Sequence, residues 1–248
     1  MAITIGGGIS LGRGINVITY SPPPTPIFDL DAANYSAVPT NGTYDATGTY
    51  TLAVTNAGSI SYNSANGGYW TKSNTTGTDV IVAGPAYTGT TQSYTVFLAY
   101  NLTATNGTGR LLNTAVESNP ADWLMGGYTS TTNYKNVFFT GGTGEYNVDS
   151  YTGTSGWRFI WGSYNSSSGI MNSYIASSTE NTSTGPTAFY KQHTGMSGAH
   201  GFNQLRFWSR AGGVEVQTGS IAFVKIYSTA LSISQIQSLH AAYKARFF

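Results

Sequence analysis

The chain has no cysteine, which removes disulfides and thiolate metal sites and leaves the redox compartment open. Charge is scarce too: 8% of residues are charged, against about 25% in an average globular protein. Eleven Lys and Arg against ten Asp and Glu leave a formal charge of +1, so no basic field exists to hold a nucleic acid. No apolar run approaches the roughly 20 residues of a membrane-spanning helix. The opening Met1-Ala2-Ile3-Thr4-Ile5-Gly6-Gly7-Gly8 lacks a charged stretch leading into an apolar one and predicts no signal peptide.

What is present favours strands. The chain holds 31 Gly, 18 Tyr and 14% aromatic residues, too much apolar bulk for disorder and a good supply of turn formers. At 248 residues it fits one large β-sandwich. The clearest runs are Tyr94–Tyr100, Asn136–Thr140, Trp157–Trp161 and Ile221–Tyr227. Between them Asn106-Gly107, Gly126-Gly127, Gly141-Gly142 and Gly212-Gly213 read as turns. Many short strands with no helical period between them predict two packed antiparallel sheets. One helix is expected, over 232–246. Ser232 and Gln235 form its capping box, Ile233, Ile236, Leu239 and Tyr243 its apolar face, and Lys244 and Arg246 its cationic end.

Residues 1–26 differ from the rest. Ile3-Thr4-Ile5, Ile9-Ser10-Leu11 and Ile15-Asn16-Val17 recur every six residues, the first two followed by glycine-rich turns, and Ser21-Pro22-Pro23-Pro24-Thr25-Pro26 follows as a stiff spacer. Alternation puts Ile3, Ile5, Ile9, Leu11, Ile15 and Val17 on one face. Three-residue strands need a surface to pair with, so this segment reads as an arm for docking to a partner; a frayed tail is the alternative.

Catalytic patterns are weak. Sugar cleavage needs two carboxylates flanking the bond. Glu145 and Asp149 have no third carboxylate beside them, Glu117 and Asp122 flank Pro120 in a loop-like stretch, and Asp29 and Asp31 sit at alternate positions of one strand. His193, His200 and His240 lack metal-site spacing and read as solvated or hydrogen-bonded side chains. Calcium takes carboxylates and carbonyls, but the acidic residues are scattered. Gly6-Gly7-Gly8 and Gly12-Arg13-Gly14 lead into neither a Lys-Ser/Thr pair nor a helix, so they are not phosphate loops. No catalytic residue, metal ligand or cofactor is nominated. Trp157, Phe159 and Trp161 share parity and read as core. Trp123, Tyr128 and Tyr134 lie among turn residues and are the candidates for stacking on a glycan.

Three stretches carry a family resemblance. Phe28-Asp29-Leu30-Asp31-Ala32-Ala33-Asn34-Tyr35-Ser36 resembles the opening strand and turn of laminin-G-like, concanavalin A-like jelly rolls. Ser59–Trp70 is similar to the second stretch of the versions carried by bacteriophage structural proteins. Ile226–Ile236, with Ala230-Leu231-Ser232 at its centre, is similar to the closing strand, turn and terminal helix. The Met-Ala-Ile-Thr-Ile-Gly-Gly-Gly start also resembles structural proteins of tailed phages of marine and cyanobacterial hosts.

The resemblance spans about residues 27–248 and departs from the family after Trp70, where Thr71–Asp79 replaces an aromatic-Asp-Gly stretch. It implies an all-β jelly-roll sandwich over 27–248 preceded by the arm of 1–26. It also implies a non-enzymatic structural or decoration protein, assembled in the host cytoplasm and displayed on the virion surface, with capsid or tail proteins as partners. A homo-oligomer, a trimer by preference, matches such sites. The alternatives are a tail-fibre adhesin for host surface polysaccharide and a polysaccharide hydrolase.

Overall fold

Short β-strands build most of the computed structural model. It describes residues 22–55, 57–75, 80–87, 91–102, 109–115, 123–130, 133–140, 145–150, 156–177, 182–188, 190–195 and 201–248, with backbone alone for 126–150. The arm residues Ile3, Ile5, Ile9, Leu11, Ile15 and Val17 lie outside the described residues.

In chain order the strands are β1 (Phe28–Asp31), β2 (Ala53–Thr55), β3 (Ile60–Asn63), β4 (Tyr69–Lys72), β5 (Val80–Ala83), β6 (Tyr94–Leu102), β7 (Arg110–Thr114), β8 (Trp123–Ser130), β9 (Asn133–Thr140), β10 (Glu145–Ser150), β11 (Arg158–Asn165), β12 (Ile170–Ser177), β13 (Lys191–His193), β14 (Leu205–Phe207) and β15 (Gly219–Tyr227). A single α-helix, α1 (Ile233–Tyr243), follows among the described residues and ends in a 3₁₀ turn at Lys244–Arg246. One sheet runs β13-β12-β11-β6-β15-β4-β3, with β1 also on β15; the other runs β10-β9-β8-β7-β14-β5-β2. All strand pairs are antiparallel. The expected sandwich is therefore the observed one.

The central strands β6 and β15 are buried on both faces, which is why they read as near-continuous apolar runs. Val96, Leu98, Tyr100, Ile160, Val224 and Ile226 point between the sheets, while Phe97, Phe159, Trp161, Tyr174 and Phe223 point outward under α1. Strict alternation would put Ile221 and Phe223 on one face. The register shift between them resets the parity, so that Ile221 and Val224 both face inward. Trp161 lies flat on Phe97 with ring centroids 4.5 Å apart, so the aromatic face of β11 is core, but it is the core beneath the helix.

That helix begins as its sequence dictates. Ser232 Oγ accepts from the Gln235 backbone N–H at 3.3 Å and Gln235 Oε1 accepts from the Ser232 N–H at 3.0 Å. Its buried face is Ile236, Leu239 and His240. Alternation along β1 sends Phe28 and Leu30 inward and both carboxylates outward, where Lys225 Nζ meets Asp29 Oδ1 at 2.6 Å and Arg246 Nη1 meets Asp31 Oδ2 at 2.9 Å. Arg246 also donates to the carbonyls of Asn66 and Gly68. Asp29 and Asp31 are thus structural, sewing the C-terminus to the first strand.

Gly126-Gly127 is not a turn. Arg110 pairs with Tyr128 and Leu112 with Met125, so two glycines oppose the single residue Leu111 and form a bulge inside β8. Gly212-Gly213 does lie in a turn, a 3₁₀ segment at Ala211–Gly213, whereas Asn106-Gly107 and Gly141-Gly142 lie outside the described residues.

Candidate functional site

The residues singled out for glycan contact do not come together. Trp123 is fully buried between the sheets, its ring 4.8 Å from that of Phe202 and its side chain against the Tyr94 hydroxyl. This corrects the expectation of an exposed ring: β8 opens at Trp123, and its parity with Met125 turns both inward. Tyr128 and Tyr134 stand on β8 and β9, where the register pairs them with Lys135 and Thr129, but their side chains lie outside the described residues.

The carboxylates that are described are all committed. Asp29 and Asp31 pair with Lys225 and Arg246, and Glu215 bridges Arg110 and Arg210. Asp45 accepts from the backbone N–H groups of Asp29, Thr47, Thr49 and Tyr50 and from the Thr47 hydroxyl. Burial raises its pKa, and these hydrogen bonds, led by Tyr50, outweigh that and hold it below the ordinary range. The side chains of Glu117, Asp122, Glu145 and Asp149 lie outside the described residues. Among the described residues no group of three or more His, Asp or Glu is placed to hold a metal ion.

His193 is half-buried on β13 and His200 lies outside the described residues. His240 departs from expectation: it is fully buried and neither ring nitrogen has a hydrogen-bond partner. Phe159 and Phe248 lie 5.9 and 6.0 Å from its ring, and a Cβ at Gly185 would stand 2.9 Å from its Cγ. Burial, reinforced by the charge of Lys244, lowers its pKa to about 4.

An open cleft of about 720 Å³ lies instead at the end of the sandwich where β6 begins and β15 ends. That volume falls in the range of small-molecule sites, roughly 300–1,000 Å³. Its walls come from six stretches: Ile27; Tyr50; Pro85–Tyr87; Thr91–Ser93; Asn165–Ser167; and Ser228–Ala230.

Each wall is held by hydrogen bonds of its own. The Asp45 turn places Tyr50. Gly84, at φ +99°, turns the chain out of β5. Tyr87 then donates its N–H to the Phe202 carbonyl at 2.6 Å, an approach that leaves no room at Gly201, where a Cβ would fall 1.9 Å from the Tyr87 oxygen. Ser93 Oγ and Ser166 Oγ lie 3.0 Å apart across β6 and β11. Thr95 Oγ1 donates to the Thr229 carbonyl at 2.8 Å and accepts from the Leu231 N–H at 2.9 Å, which fixes the last wall. The cleft is therefore preformed, with tyrosine, proline and aliphatic patches interleaved with hydroxyls and amides. Reading the chain missed Tyr50 and Tyr87; the one local sign was the Asp45-Ala46-Thr47-Gly48-Thr49 turn in front of Tyr50.

No protein-family model matches the chain, and no curated protein matches it. Solved structures do. The binding domain of botulinum neurotoxin serotype G aligns with a TM-score of 0.63 at 13% identity, over 88% of this chain and 51% of that one. The serotype D ligand-binding domain in complex with N-acetylneuraminic acid gives 0.57 at 15%, over 88% and 50%. Domain 4 of AbnA, a GH43 extracellular arabinanase from Geobacillus stearothermophilus, in complex with arabinotriose, gives 0.57 at 16%, over 86% and 97%. The chain spans about half the length of the toxin domains and nearly all of the arabinanase domain. At these identities the shared property is the fold, a sandwich of two antiparallel β-sheets.

Proposed function

We propose that this chain is a non-enzymatic carbohydrate-binding domain whose sugar site is the cleft at the β6–β15 end of the sandwich. The observation that carries the reading is the preformed cleft, where ring faces and aliphatic carbons alternate with hydroxyls and amides. A sugar offers the complementary mixture of C–H faces and hydroxyls. Two neighbours of the same fold support it, one in complex with arabinotriose and one with N-acetylneuraminic acid. The described carboxylates serve structure, which supports binding without hydrolysis.

In the biological setting we assign to it, the domain stands on the surface of a tailed-phage virion, assembled in the host cytoplasm. The arm of 1–26 joins it to a capsid or tail protein, as a trimer, and host surface polysaccharide is the ligand. A purely structural decoration protein is the second reading, favoured by the six-residue repeat of the arm. Purified protein on immobilised host polysaccharide separates the two. Binding that Ser228→Trp abolishes, with the thermal melt unchanged, supports the cleft; Ser228 is an exposed lining residue. No retention on any polysaccharide sinks the sugar reading and leaves decoration.

A further inference from the structure

The ligand class follows from what the cleft can and cannot satisfy. None of its fourteen lining residues carries a charge. Lys225, two residues before the end of β15, is engaged elsewhere, holding Asp29. A carboxylate can also be held by clustered backbone N–H groups, and the turn after β11 has three of them, at Ser166, Ser167 and Ser168. All three are already taken. Ser93 Oγ accepts from Ser166 N–H at 3.0 Å, and Asn165 Oδ1 accepts from Ser167 N–H at 3.1 Å, from Ser168 N–H at 3.4 Å and from the Ser167 hydroxyl at 2.7 Å.

What remains for a ligand is neutral. No described group hydrogen-bonds the Gln92 side chain or the Tyr50, Tyr87, Thr91 and Ser228 hydroxyls, which are the groups left to meet a sugar hydroxyl. Burial, with Tyr50 as its phenolic neighbour, pushes the Tyr87 hydroxyl up to about 12. The Tyr87 hydroxyl therefore stays neutral throughout the physiological range.

From this we infer that the cleft selects short uncharged glycan segments, discriminates against sialic and uronic acids, and binds with little dependence on pH or salt. The inference rests on the sugar-binding reading and deepens it. Moving a carboxylate out of water into a site with no charged group among its described lining residues is penalised heavily, whereas a sugar hydroxyl exchanges water for a hydroxyl or amide at small net cost.

Titration calorimetry on the full chain tests it. The neutral probes are arabinotriose, maltotriose and galactobiose; the acidic ones are N-acetylneuraminic acid, 3′-sialyllactose and trigalacturonic acid. At least one neutral probe should bind about tenfold or more tightly than every acidic one, and its Kd should change less than about twofold from pH 5 to 9 and from 0.05 to 1 M NaCl. Gln92→Lys, which adds one cation at the exposed rim, should strengthen binding of an acidic probe about tenfold and make that gain salt-sensitive. Acidic probes that match or beat the neutral ones on the unaltered chain overturn the selectivity while leaving sugar binding intact. So does a tenfold change in Kd for the neutral probe across that pH range. Failure of every probe and of the immobilised polysaccharides together removes the sugar reading and the selectivity with it.

Discussion

The two faces of the eight-stranded sheet are both apolar and both covered, yet they are covered by different means. Its inner face meets another sheet, and Leu98, Ile160, Val224 and Ile226 pack with Trp70, Trp123 and Trp208 in an interior made almost wholly of hydrocarbon and aromatic rings. Its outer face meets one eleven-residue helix and a short tail, and charge gathers there: Lys225, Asp29, Asp31, Arg246 and the buried His240. A sheet supplies side chains across the whole facing area, whereas a helix is only about 10–12 Å wide and leaves its flanks to be closed by other groups. Ion pairs from β1 and the tail close them. The lesson is that the inner layer sets the fold while the outer layer is a fastened cover.

The sharpest way to break this contrast is to remove a ring from the inner layer. Trp70 is fully buried, donates its indole N–H to the Ala37 carbonyl at 3.1 Å and lies 5.5 Å from the Tyr35 ring. Trp70→Ala should cost about 4 kcal/mol and lower the urea midpoint of the whole domain in one transition. A separate early transition of the helix in that variant would contradict the division of labour.

Acid should act on the cover first. His240 is held at about 4 in the folded chain, against an ordinary value of 6.5, by burial and then by Lys244. Above pH 6.5 the imidazole is neutral in both states and the helix keeps its full stability. As pH falls toward 4 the unfolded chain takes up a proton that the folded chain refuses, so stability declines by about 2 kcal/mol between pH 7 and 5 and levels off below 4. Urea melts at pH 7, 6 and 5 should show this slope, and His240→Leu should flatten it. An unaltered slope in that variant would mean that another group carries the acid sensitivity.

Ser232→Ala is the mildest test. It removes the hydroxyl that receives the Gln235 N–H and should cost about 1 kcal/mol. Amide exchange should quicken in α1 and stay unchanged in β6 and β11. Equal quickening in the strands would show that cover and sandwich open as one unit.

Local signals were legible wherever local physics decides them. The runs around Tyr94, Asn136, Trp157 and Ile221 became β6, β9, β11 and β15, and the Ser232–Gln235 box opened the helix, because alternation and capping act over a few residues. Trp123 read as exposed because its N-terminal neighbours, Asn119-Pro120-Ala121-Asp122, are turn formers, and composition cannot say which way the first residue of a strand points. Gly126-Gly127 read as a turn because glycine serves turns and bulges alike, and only the register shift between Arg110 and Leu112 tells them apart.

The amino-acid sequence by itself determined the class of the fold, most of its long strands, the capped helix and the scarcity of charge that shapes the candidate ligand. The tertiary structure alone decided which of two cores the β11 aromatics join, that Asp29 and Asp31 are braces, and where the cleft lies. The reason is distance along the chain. Strand parity and caps are settled between near neighbours, while the cleft gathers residues from Ile27 to Ala230 whose meeting depends on sheet order and register.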